Sequence, residues 1–142
     1  MTEPQSSGLP GWFTPAAIAA VAWEILGCVM YLMQVRVDPA ALPADQRAVW
    51  DATPPWMTGA YALAVWVGLA GAVALLMRRR VADPLLLVSL IAVTAQFSGL
   101  LWVPSLRDLV SSDMLLLPFV IVAVCAVIWS FARRARRSGW LR

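Results

Sequence analysis

Four runs of about twenty mostly apolar residues, roughly 13–34, 56–77, 84–104 and 114–132, constrain this chain more than anything else in it. A helix needs about 20 such residues to cross a hydrocarbon core of about 30 Å. Backbone N–H and C=O groups find no water in lipid, so each run must satisfy its own hydrogen bonds as a helix. The reading is an all-α membrane protein: one four-transmembrane-helix bundle over residues 1–142, with an external loop at 35–55. Charge supports it, because only 13% of the residues are charged, about half the share of a soluble domain. The first run is not read as a cleaved signal peptide. It lacks a positive n-region, it is too long, and Glu24 interrupts it.

The basic residues orient the bundle. All eleven are Arg, and eight fall in two clusters: Arg78, Arg79 and Arg80, then Arg133, Arg134, Arg136, Arg137 and Arg142. Only Arg36, Arg47 and Arg107 lie in the other two loops. Positive residues stay on the cytoplasmic side, so the loop 78–83 and the C-terminal end are placed inside. Four spans then put the N-terminal end inside as well, an N-in/C-in topology. Residues 1–12 contain no basic residue and do not bear on this. The same Arg clusters can hold anionic lipid headgroups at about 1 kcal/mol each. Because topology explains them, no nucleic-acid partner is expected. Trp12, Trp50, Trp56, Trp102 and Trp140 lie near the proposed boundaries, where an indole has one wet edge.

The connections carry helix punctuation. Asp38-Pro39 reads as an N-cap followed by Pro at the first helical position. Pro43 restarts a short helix to about Trp50, and Thr53-Pro54-Pro55 ends it. This loop is either a connector resting on the membrane surface or a lid over a site between helices. Asp83-Pro84 reads as a second N-cap and helix start. The last helix should stop at Gly139.

Helical periodicity identifies packing faces. Ala60, Ala64, Gly68 and Ala72 recur every four residues, a small-residue stripe that lets helix backbones approach in lipid. Ala16, Ala20, Glu24 and Cys28 recur in the same way in the first span, so Glu24 lies on a small-residue face. Ser89, Ala92, Gln96 and Gly99 form a comparable stripe in the third span. A charged carboxylate at mid-membrane costs about 3 kcal/mol or more, so Glu24 should face the bundle in its neutral form. By depth, its expected partner is Gln96 or a backbone carbonyl. Two roles are open: a structural hydrogen bond between spans one and three, or a ligand-binding or proton-binding site formed by Glu24, Trp23 and Gln96.

Enzyme signatures are missing. There is no His, no CxxC, no paired carboxylates and no phosphate loop. The chain is read as a non-enzyme with no cofactor and no metal. Cys28 and Cys125 differ in depth by roughly 10 Å, too far for a disulfide, and are read as free packing thiols. Copper ligation by Cys28, Met30 and Met33 is the weaker alternative, because helical spacing spreads them over different faces.

Several elements together resemble a known family. They are Trp23, Gly27 and Tyr31–Gln34 in the first span, Pro55-Trp56 with Ala60–Val65 and Gly68-x-x-Gly71, then Leu75–Arg79, Ser89-Leu90, Gln96 and Gly139–Leu141. The resemblance is to small four-span bacterial inner-membrane proteins often labelled sugar transporters, though no sugar-binding motif accompanies it here. Glu24 stands where those members often have Asn, which implies a polar contact that several residue types can make. Residues 22–27, AWEILG, are also similar to the span-one element of small multidrug resistance transporters. That similarity implies a Glu that binds protons and cations competitively within a dimer. Two functions follow as expectations. One is a small transporter or binder of a hydrophobic or cationic molecule. The other is a non-transporting accessory or assembly subunit that binds other membrane helices. In either case a homo-oligomer or a partner membrane protein is expected.

Overall fold

A computed structural model describes residues 8–142. Residues 1–7, part of the N-terminal stretch without basic residues, lie outside the described residues. The helices are α1 (Phe13–Arg36), α2 (Ala44–Ala52), α3 (Pro55–Leu76), α4 (Ala82–Trp102), α5 (Pro104–Arg107) and α6 (Leu116–Arg137). Short 3₁₀ turns at Pro39–Ala41 and Ser112–Leu115 precede α2 and α6. No strand occurs among the described residues. Four helices (α1, α3, α4, and α6 with its preceding turn) are long and apolar enough to cross a membrane. The protein is an all-α, four-helix membrane bundle.

Neighbours in the bundle follow from the small residues. α3 packs on both α1 and α4, and α4 also packs on α6. Ala64, Gly68 and Ala72 are buried along α3, and Ala60 is half-buried at the outer end of the same stripe. A Cβ on Gly71 would come within 2.9 Å of Leu86 Cγ, so hydrogen at that position lets α3 and α4 close on each other. Large apolar side chains such as Ile18, Leu26, Met30 and Ile91 point away from the bundle and are exposed, as lipid-facing groups are.

The start of α1, the end of α3, the start of α4 and the end of α6 gather at one end, together with both Arg clusters. Phe13, Leu75, Ala82 and Leu141 form part of one buried cluster there. Trp12 packs on Phe131 and Trp140 at ring distances of 5.4 and 5.8 Å. α3 and α6 end in the same way. Arg79 N–H donates to Ala74 O and Arg78 N–H to Leu75 O, while Trp140 N–H donates to Ala135 O and Gly139 N–H to Arg136 O. These are Schellman closures, which require a left-handed residue at the turn. Gly139 supplies it at φ 75°, and Arg78 supplies it at φ 60°. Arg78 is not Gly and carries a steric cost, offset by bonds between the two ends, three of which involve Arg78 or Arg142. Arg142 N–H donates to Arg78 O, Arg80 N–H donates to Arg142 O, and Arg78 Nε donates to Trp140 O at 3.0 Å.

Local readings are met with one correction. Asp38 Oδ1 accepts from Ala40 N–H at 3.0 Å as the cap of the Pro39–Ala41 turn. α2 runs to Ala52, two residues beyond Trp50. Asp83 is not an N-cap: α4 opens at Ala82, with Val81 in the cap position. Its carboxylate is drawn away to α6, where Trp129 Nε1 and Arg136 Nη1 each donate to it at 3.0 Å. An ion pair with two donors outcompetes a single capping bond.

Candidate functional site

Glu24 lies at the middle of α1, on the face formed by Ala17, Ala20 and Cys28, and is 5% exposed. Its carboxyl reaches across to α3 and enters the space beside Gly68. A Cβ on Gly68 would collide with Glu24 Oε2 and would lie 2.8 Å from its Cδ and 2.7 Å from Ser89 Oγ. Three helices thus meet at one point: α1 contributes the acid, α3 a residue without a side chain, and α4 a hydroxyl. Ser89 is buried, and its Oγ donates to Ala64 O at 2.6 Å. One turn further along α1, Cys28 Sγ lies 3.4 Å from Val65 O. Both bonds tie neighbouring helices to the backbone of α3.

The carboxyl itself makes no hydrogen bond or ion pair with the described residues. Every Arg lies at a helix end or in a loop, so no cation faces it among the described residues. The Ser89 hydroxyl proton is already committed to Ala64. Gln96 Oε1 is the only fully enclosed side-chain oxygen or nitrogen without a partner among the described residues. The Glu24 oxygens are unpartnered without being fully enclosed. What such a group can do chemically is bind one proton, or exchange that proton for a cationic or hydrogen-bond-donating ligand.

The expected Glu24–Gln96 contact is not formed. Gln96 is half-buried on α4, seven residues beyond Ser89, or roughly 10 Å further along the helix. Depth alone does not choose a partner: α1 packs on α3 rather than on α4, so the Glu24 carboxyl turns to Gly68 and meets α4 only where Ser89 also reaches the α3 backbone. Ser89 was visible in the third-span stripe as the small polar residue two turns before Gln96.

Trp23 is half-buried and turns to a different face of α1 from Glu24. It lines an open apolar groove of about 610 Å³ between α1 and α6. Cys28 and Cys125 are free, and no cluster of three metal-ligating residues occurs among the described residues. The loop at 35–55 folds as a 3₁₀ turn and α2, and α2 contacts α5 rather than the helices around Glu24. The Arg residues expected to meet headgroups divide. Arg136 pairs with Asp83, Arg133 lies 5.2 Å over the Trp129 ring, and Arg78 and Arg80 donate to Trp140 O and Leu141 O. Arg79, Arg134 and Arg137 are exposed. Comparison with protein-family models, with curated proteins and with solved structures finds no match to this chain.

Proposed function

We propose that this membrane protein binds, and in an oligomer transports, a small hydrophobic cation in competition with protons, with Glu24 as the exchanging group. One observation carries the reading: Glu24 is 95% buried at a three-helix junction, yet none of the described residues pairs with its carboxyl. A purely structural acid would be expected to spend its proton on a neighbouring carbonyl or amide, as Ser89 does. A carboxylate held without a partner in a low-dielectric site is poised between a proton and an external cation. The likeness of residues 22–27 to small multidrug resistance transporters supports the same role. An N-in/C-in orientation in a bacterial inner membrane completes the proposal. Four helices are too few to enclose a pathway built from repeats, so transport requires more than one copy.

The experiment is binding of tetraphenylphosphonium to the detergent-purified protein across a pH series. Wild type should bind more tightly as pH rises, because protons compete for the same oxygen. Glu24→Gln should lose this binding while keeping the helical content of wild type. Binding by Glu24→Gln with wild-type affinity and pH dependence would refute the proposal.

A further inference from the structure

The groove between α1 and α6 is built differently from the Glu24 site, and its geometry points to a second ligand. α1 and α6 flank the bundle and touch at the Arg-rich end, where Phe13 packs on Phe131 at a ring distance of 5.3 Å. Between them the α1 wall is cut back to Ala16, Ala19 and Ala20, while α6 presents Val124 and Phe131. The lining is almost wholly apolar, and its one charged residue is Arg134. Along α6 the groove runs from Val124 to Arg134, ten residues or about 15 Å. Along α1 it runs from Trp12 to Trp23, a similar length. That is half of a hydrocarbon core of about 30 Å, the depth of one leaflet.

Arg134 lies at the Arg-rich end of this trough, and its guanidinium makes no ion pair or hydrogen bond with the described residues. Its neighbours differ: Arg136 is held by Asp83, and Arg133 lies on the Trp129 ring. The fold thus places one uncommitted cation at the mouth of an apolar slot that is a single leaflet deep. We infer that the α1/α6 groove is a site for one anionic phospholipid, its acyl chain along Ala16, Ala19 and Ala20 and its phosphate on Arg134. The inference is independent of the proton and cation chemistry assigned to Glu24.

The test is native mass spectrometry of the detergent-purified protein titrated with phosphatidylglycerol or phosphatidylcholine. Wild type should carry one phosphatidylglycerol and favour it over phosphatidylcholine by about fivefold, which is about 1 kcal/mol for one Arg near an anionic surface. Arg134→Gln should abolish that preference, and Arg134→Lys should restore most of it. Arg107→Gln, at the opposite end, should leave it unchanged. Ala19→Trp, which fills the trough at an exposed position, should weaken retention of both lipids. Equal binding of the two lipids by wild type, or an undiminished preference in Arg134→Gln, would overturn the assignment. So would a dimer that Ala19→Trp dissociates, because the groove would then hold a second copy. Inorganic phosphate should neither bind nor displace the lipid; displacement by it would identify a simple anion site and refute the acyl-chain component.

Discussion

The contact between Glu24 and Gly68 admits no atom larger than hydrogen on the α-carbon. A Cβ there would overlap Glu24 Oε2 and come within 2.7 Å of Ser89 Oγ. Gly68→Ala should therefore lower stability by about 1–3 kcal/mol, the usual cost of overpacking, and Gly68→Leu should prevent a stable bundle. Gly59 has nothing within 4 Å of the equivalent position, so Gly59→Ala should leave the melting temperature unchanged or slightly raised. Thermal unfolding of the three variants in one detergent checks the contrast. If Gly68→Ala melts with wild type, the carboxyl does not occupy that space. Glu24 and Gly68 were both legible as members of small-residue stripes, because a period of four residues marks a helix face. Ser89 as the third contributor was not, because a stripe marks a face without saying which of its residues meets a side chain from a helix that packs on a shared neighbour.

At the scale of elements, the four spans were readable because lipid demands long apolar runs, and the helices begin and end within a few residues of those limits. That the two Arg clusters share one side was readable, but how they are joined was not, since it depends on long-range contacts. Two helix ends close with left-handed residues and are then joined through Arg142, Arg78 and Arg80. Gly139→Val would force a branched residue to φ 75° and should destabilise the protein by about 1–2 kcal/mol, while releasing Leu141 from its buried position. Denaturation in detergent measures the cost; an unchanged midpoint would show that the α6 closure contributes nothing. Asp83 provides a second test. Asp83→Asn retains an acceptor for Trp129 Nε1 but loses the charge facing Arg136, whereas Asp83→Leu loses both. The expected order of stability is wild type, then Asn, then Leu. The Asn step should stay within about 1 kcal/mol, because Arg136 is half-exposed and its ion pair is partly screened by solvent. Equal stability of the Asn and Leu variants would remove Trp129 from this network.

The molecule as a whole is a central bundle with an Arg-rich end, and the proposal assigns proton exchange to Glu24, at the middle of α1. The eight-to-three Arg bias predicts that reporter fusions after Arg80 and after Arg142 read cytoplasmic and that one near Asp45 reads external. An external signal at either Arg cluster would reverse the orientation. Composition made the membrane class plain, whereas the site depends on how three separate helices meet, which no single stretch of sequence encodes. The central claim is that Glu24 gives up a proton when a cation takes its place, and proton release measures this directly. Tetraphenylphosphonium should be added to wild type in weakly buffered detergent, at a pH where Glu24 is neutral in the free protein. The account predicts release of about one proton per cation bound, by linkage, and none from Glu24→Gln. Cation binding without proton release in wild type, or equal release from the Gln variant, would contradict it.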